Sequence, residues 1–405
     1  MTEATRYQAD VVIFGGGVAG LWLLARLRQA GYRALLLEAQ ALGAGQTRYS
    51  QGIIHGGTKY ALTGAVSDAS EAILSMPPLW RACLEGHGEI DLSRVRLMSD
   101  HQYLWSTASL TSRMAGFFAS KLMRSRVAPL ALEEYPGVFR SKGFRGQVYK
   151  LEEPVLDAAS LVHELAEPHR AAIWQVAPEQ LRAITEGDDG VILTIDNDQG
   201  ELTVQCRRVV LTAGKGNAAL LSRLGHSVPA MQLRPLKMVA VRGNLPEGVY
   251  AHCLGASANP RITISTHYEL NGGVVWYLGG DVAEEGTRRS DAEQIAEARR
   301  ELSALLPWVD FSRCEFTTFD IDRAEVRTGS GRRPEDSYAA AEGPVITVWP
   351  TKLAFAPRAA AHVVGMLDEA GITPSGDNSA LPDFTFPDYA LLPWQEASAW
   401  HGENE

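Results

Sequence analysis

Between residues 10 and 38 the chain runs from an apolar, β-branched stretch (DVVIF) through Gly15-Gly16-Gly17-Val18-Ala19-Gly20 into an apolar-faced helical pattern, closed by Gly31, and then a second apolar run (ALLL) ending at Glu38. Strand, glycine turn, helix, strand is a βαβ unit, and it commits both strands to a parallel sheet covered by helices. The glycine spacing is G-x-G-x-x-G, directly between strand and helix. Gly15 permits the tight turn, Gly17 lets the backbone approach a pyrophosphate, and Gly20 lets the helix close on the strand. Val18 and Ala19 then offer first-turn amides at the positive end of the helix dipole. Glu38, followed by Ala39, stands where an adenosine ribose is held, and its carboxylate repels a 2′-phosphate, which disfavours NADP. The plain alternative is a glycine turn in an ordinary βαβ unit; the second strand and its terminal acid favour a dinucleotide site. These residues alone leave FAD and NAD open.

The rest of the composition sets limits. A chain of 405 residues with 45% hydrophobic and 21% charged residues can bury a large core in more than one domain. Its net charge of -10 disfavours a nucleic-acid partner. Cys83, Cys206, Cys253 and Cys314 are scattered, without a C-x-x-C pair, so reduced buried thiols are expected rather than a metal site or a disulfide framework. The N-terminus lacks the features of a secretory signal, and no run of eighteen apolar residues occurs, so a cytoplasmic location is expected. Aromatic residues of the tail, among them Phe386, Tyr389, Trp394 and Trp400, could dock on a membrane interface, but packing back onto the body is favoured.

Along the chain, residues 43–58 are glycine-rich and irregular and are expected to lie against a ligand. Helices are expected at 161–167, 291–305 and 355–367, the last with Pro357 in its first turn. Strands are expected at 190–195 and 202–204 as a hairpin, then at 209–211, 238–241, 261–265, 274–278 and 345–349.

Residues 10–60 resemble the D-amino-acid oxidase-like superfamily of flavoproteins, which includes glycine oxidase, 2-hydroxyglutarate oxidase and FAD-dependent glycerol-3-phosphate dehydrogenase. The likeness extends past the glycines into the segment from Gln46 to Gly57, whose Ile-His-Gly-Gly core is especially similar to the glycerol-3-phosphate and hydroxyglutarate members. Residues 207–225, Leu156-Asp157 and residues 347–357 are similar to later parts of the same family. The resemblance implies FAD as cofactor, with Thr47, Arg48, Ser50, Gln51 and Gly52 around the pyrophosphate and flavin. It further implies Leu181 at the adenine, Thr212-Ala213-Gly214 at the returning turn, and Thr351, Lys352 and Leu353 at the flavin-covering turn. Lys352 departs from the glycine usual in glycine oxidases and is similar to a lysine of glycerol-3-phosphate dehydrogenases; a cation there would stabilise a reduced, anionic ring.

The resemblance also implies hydride removal from a small anionic 2-hydroxy acid, polyol phosphate or amino acid, with oxygen, a quinone or a redox protein as electron acceptor. Arg327, in Ala-Glu-Val-Arg, is the preferred carboxylate anchor, with Arg333 as the rival. His55 is the candidate proton acceptor, and His267 and Tyr277 are candidate catalytic groups on the substrate sheet. For each of these, a structural role is the competing reading. An NAD-linked reductase, a flavin monooxygenase and a non-catalytic or electron-transferring FAD subunit are the rival functions. The expected architecture is α/β: a Rossmann-type FAD-binding domain (1–85, 151–228 and 320–375) interleaved with an α+β substrate domain (86–150 and 229–319) built on a mainly antiparallel sheet, followed by a tail (376–405).

Overall fold

The computed structural model describes residues 5–57, 72–107, 127–187, 189–197, 200–255, 259–376 and 381–402. Residues 58–60 of the N-terminal resemblance therefore lie outside the described residues. Two eight-stranded sheets organise the molecule. In the first, the order is Tyr338–Glu342, Val345–Trp349, Gly200–Leu211, β1 (Thr5–Phe14), β2 (Ala34–Glu38) and Ile173–Gln175, and the antiparallel strands Leu181–Gly187 and Gly190–Asn197 extend it alongside Gly200–Leu211. The five strands from Val345–Trp349 to Ile173–Gln175 run parallel.

Such a centre must be apolar on both faces, and Val11, Val12 and Ile13 of β1 are fully buried. Helix α1 (Val18–Gln29) lays Leu21, Trp22, Leu24 and Leu27 into the same core and packs against Ala158–Ala166 and Ala356–Glu369. Full burial of each such side chain contributes roughly 2 kcal/mol. Past its C-terminus Gly31 takes a left-handed φ of 85°, and the Tyr32 amide returns to the Leu27 carbonyl at 3.0 Å, a closure that favours glycine. The helix expected at 161–167 begins earlier, because the Asp157 carboxylate accepts from the Ser160 amide at 2.9 Å and caps Ala158–Ala166.

The second sheet has the order Glu315–Val326, Met231–Arg242, Val274–Gly279, Ile262–Tyr268, Tyr250–Cys253, Gln102–Trp105, Val148–Leu151 and Val127–Pro129. Its pairings are antiparallel except that of Tyr250–Cys253 with Gln102–Trp105. The helix Asp291–Leu305, whose start is fixed by a reciprocal Ser290/Glu293 capping box, covers one face with Ile295, Ala298 and Leu302. The other face, carrying Met238, Ala240 and Tyr277, turns towards the first sheet and the tail.

The tail packs on the body. Gln175 N–H donates to the Thr385 carbonyl at 2.8 Å, Leu42 bridges to Tyr389, and Phe384 stacks on Trp174 with ring centroids 4.4 Å apart. Farther on, Trp394 is buried against His267 and Tyr277, and His401 bridges to Phe316. The segment thus straps one sheet to the other. Among the described residues no helix is long and apolar enough to cross a membrane.

Candidate active site

The glycine turn closes on the neighbouring strand. Gly15 has φ 105°, and a Cβ there would lie 2.6 Å from the Ala213 Cα; one on Gly20 would lie 2.0 Å from the Gly15 carbonyl oxygen. Only glycine fits either place. Gly17 caps α1 in extended conformation with no side chain of its own to cap the amides, and a Cβ there would meet only Thr47 Oγ1 at 3.3 Å. Thr47 Oγ1 accepts from the Val18 amide at 3.2 Å, while Ala19 continues the buried first turn. Thr212 Oγ1 donates to the Phe14 carbonyl at 2.8 Å, the Ala213 amide donates to Asn217 Oδ1, and the Gly214 carbonyl accepts from Trp349 Nε1, so the returning turn is locked to the first. Glu38 accepts from the Gly16 and Gln40 amides, and burial raises its carboxyl pKa against the pull of those donors. Ala39 is exposed beside it, and Leu181 lies on its own strand away from the cleft with its carbonyl bonded to Arg223.

Between the two sheets is a cleft of about 290 Å³ lined by Val18, Thr47, Ser50, Gln51 and His55 from the N-terminal segment. Thr351, Lys352 and Leu353 border it from the C-terminal turn, and Met238, Thr263, Gly279 and Arg323 from the second sheet. The Ser50 hydroxyl accepts from the Gly52 amide. Gln51 Nε2 donates to Ser265 Oγ and to the Tyr277 carbonyl, tying the loop to the second sheet. Arg48 instead turns to the tail, where it meets Glu396 and lies 4.9 Å over the Tyr49 ring. The Thr351 hydroxyl donates to the Asp336 carbonyl at 3.2 Å, and Leu353 opens a short turn before Ala356–Glu369.

His55 owes its place to strand-like pairing of residues 52–54 with 154–156: the Ile54 amide donates to the Pro154 carbonyl and the Leu156 amide to the Gly52 carbonyl, both at 2.9 Å. Gly52 has φ 73°, and a Cβ on it would fall 1.9 Å from the Leu156 oxygen. This pairing sets Glu153, 4% exposed, with Oε2 3.7 Å from His55 Nδ1. Burial alone would raise the Glu153 carboxyl, but the hydrogen bond and charge of His55, the Gly56 amide and the charge of His252 hold it at about 2. Gln102 Nε2 also donates to Glu153.

Three of the catalytic candidates lie elsewhere. The last pair of the strand Glu315–Val326 is Val326 with Met231, so Arg327 is carried beyond the sheet and is exposed outside the cleft; Arg323 and Arg333 line it instead. Thr263, Ser265 and His267 alternate along one face, and this row leads from the cleft to a place beneath Trp394. His267 is there hydrogen-bonded to Ser265 Oγ at 2.9 Å, and burial lowers its pKa to about 4, leaving it neutral at ordinary pH. Tyr277 shares a face with Gly279 but sits one step farther under the tail, with its hydroxyl in an apolar cluster and its pKa raised by burial. Glu153, His252, Thr263, Arg323 and Glu284 were absent from the sequence expectations. The pairing that assembles most of them spans long separations and leaves no local signal.

The family model described as DAO, FAD dependent oxidoreductase, matches residues 10–356. The chain belongs to this family. As a family member it is an oxidoreductase with FAD as its cofactor. A protein of Pseudomonas aeruginosa described as a "Probable FAD-dependent oxidoreductase" is 49% identical over 391 residues, covering 96% of this chain and 98% of that one. A crystal structure of an FAD dependent oxidoreductase from the same organism superposes with a TM-score of 0.82 at 43% identity, covering 98% and 99% of the two chains. Glycine oxidase from Geobacillus kaustophilus shares the fold at 16% identity (TM-score 0.62, covering 91% and 99%), as does L-alpha-glycerophosphate oxidase from Mycoplasma pneumoniae at 14% (TM-score 0.62, covering 96% and 100%).

Proposed function

We propose that this family member oxidises a small anionic substrate at a carbon bearing a hydroxyl, with His55 as proton acceptor and the cationic side of the cleft as anchor. The observation that carries the reading is His55 on the cleft wall, held by the buried Glu153 carboxylate. Removing hydride from a CH–OH carbon leaves a hydroxyl proton to be accepted, and an imidazole is suited to that near neutral pH. An amine can shed its proton to water before binding, so the same pair is needed less for CH–NH oxidation.

The residues fit FAD. Gly17 leaves the start of α1 clear for a diphosphate, Gly15 and Gly20 leave no room for a side chain, and the Glu38 carboxylate stands at the end of β2 for ribose hydroxyls. When bound, FAD supplies the two-electron acceptor chemistry and passes the electrons to oxygen, a quinone or a redox protein. Arg323 and Arg333 present guanidiniums suited to a carboxylate or phosphate. Burial, opposed by Glu284 and aided by Arg234 and Arg333, lowers Arg323 only to about 10, so it stays charged. Lys352 adds a cation that favours negative charge on a neighbouring ring.

The division of the chain into FAD-binding segments and a substrate half is part of this proposal, supported by the separate hydrogen bonding of the two sheets. Residues 315–326, bonded along their length to Met231–Arg242, go with the substrate half. Anaerobic addition of 2-hydroxy acids, polyol phosphates and amino acids to the FAD-loaded protein tests the reading. Loss of flavin absorbance with an anionic hydroxy compound is expected. Bleaching by amino acids alone, or by none of the three classes, overturns it, the latter result favouring an electron-transferring FAD subunit.

A further inference from the structure

Two imidazoles border the cleft beside the buried Glu153 carboxylate. His55 is set by the pairing of residues 52–54 with 154–156. His252 is set by the strand Tyr250–Cys253, where its cross-strand partner Thr263 holds Nδ1 through Oγ1 at 2.7 Å. The rings lie 17° from parallel with centroids 5.7 Å apart, and Glu153 feels the charge of both. One carboxylate favours one imidazolium, whereas a second positive charge at this separation is opposed by the first. A proton resting on His55 blocks it as acceptor, so the resident proton needs another seat.

We propose that His252 is the proton partner of His55: beside Glu153 the two facing imidazoles carry one proton between them, exchanged through solvent in the cleft, and His252 holds it when His55 receives the hydroxyl proton of the substrate. This rests on the hydroxyl-oxidising reading above and deepens it. In the step the substrate O–H bond breaks and its proton goes to a His55 ring nitrogen. The hydrogen on carbon leaves as hydride for the FAD that the family uses, the carbonyl forms, and the doubly protonated pair then returns one proton to water. Arg323, Arg333 and Lys352 on the same cleft disfavour that second proton, Glu284 offsets Arg323, and the flanking strands place uncharged Thr263 and Leu104 opposite His252.

The test is ¹⁵N-imidazole NMR of FAD-loaded protein across pH, a readout independent of turnover and of which substrate is found. His55 should titrate in two steps more than one pH unit apart, and in His252→Gln the lower step should vanish. A single His55 step with the same midpoint in both proteins overturns the proposal. Should His252→Gln fail to fold, Thr263→Val keeps both rings and should move the His55 midpoint by at least half a pH unit; an unchanged midpoint is then the overturning result. With a substrate in hand, His252→Gln should lower kcat by about tenfold or more with KM nearly unchanged, as expected for a proton-transfer partner. A raised KM with kcat intact would instead assign His252 to substrate binding. Failure of the substrate screen leaves the NMR result standing, so the two readings fail separately.

Discussion

The Arg333 guanidinium is hydrogen-bonded to the carbonyl of Thr351, which is the one non-glycine residue with a left-handed backbone among those described, at φ 62°. A β-branched residue in that region carries strain of about 1–3 kcal/mol, which the surroundings must hold. Asp336 adds to the hold by accepting from the Thr351 hydroxyl through its carbonyl and from Arg358 through both carboxylate oxygens at 2.6 Å. The proposed substrate anchor and the proposed flavin-side turn are thereby joined.

Arg333→Ala is expected to raise the KM for an anionic substrate by about tenfold or more, equivalent to about 1.4 kcal/mol or more, because a charge-assisted bond is lost. Arg333→Lys should restore it poorly, since an ammonium lacks the planar fork. Arg327→Ala should stay within about twofold of the parent, as that side chain is exposed outside the cleft. Steady-state kinetics on the three variants checks this; an Arg327→Ala loss equal to that of Arg333→Ala would reverse the assignment.

Gly52→Ala places a Cβ against the Leu156 carbonyl at a φ of 73°. The pairing that sets His55 beside Glu153 should part, with a stability loss of about 1–3 kcal/mol and a marked fall in turnover. Chemical denaturation together with activity reads both effects, and unchanged turnover would show that this pairing does not position His55.

Two groups give opposite pH dependences of stability. Glu153 has its folded pKa lowered from 4.5 to about 2, so its contribution is present above about pH 4.5 and is lost as pH falls towards 2. His226, between Glu186 and Glu342, has its folded pKa raised above 6.5, chiefly by its hydrogen bond to Glu186. Its contribution is full below about pH 6.5 and is lost as pH rises through the folded value. Denaturation midpoints across pH should show Glu153→Gln flattening the acid limb and His226→Gln the neutral one; a variant with an unaltered limb refutes the corresponding assignment.

How much of this was legible depends on how local the signal is. Gly15, Gly17, Gly20 and Glu38 lie within one βαβ unit, and each is dictated by its neighbours, so spacing alone gave the turn and strand that carry them. The helix Asp291–Leu305 was equally plain, since its stripe and the Ser290/Glu293 box fall in one window. The strand Glu315–Val326 was not, because Asp320, Asp322, Arg323 and Glu325 interrupt its apolar residues, and most of its definition comes from bonding to Met231–Arg242. Glu153 was missed because it meets His55 only through the pairing of Ile54 with Pro154. The places of His267 and Tyr277 were not legible, because strand alternation gives a face but not how far along that face the tail covers it.

Trp394 is that cover, at 2% exposure, with its indole N–H bonded to the Tyr268 carbonyl. Trp394→Ala should cost about 3–5 kcal/mol of stability and open the floor beneath Gln51, Ser265 and His267. Calorimetry with retained flavin content checks it; a loss below about 1 kcal/mol would mean the tail is not a structural strap.

The nucleotide turn is completed from far along the polypeptide. β1 pairs with Gly200–Leu211, and Gly15 abuts Ala213, so residues 5–15 cannot take final shape until roughly two hundred more have been made. A nascent chain halted before Thr212 would lack the wall on which its glycines close. The dinucleotide cradle is therefore complete only once residues from both ends of this seam, Gly15 and Ala213, have met.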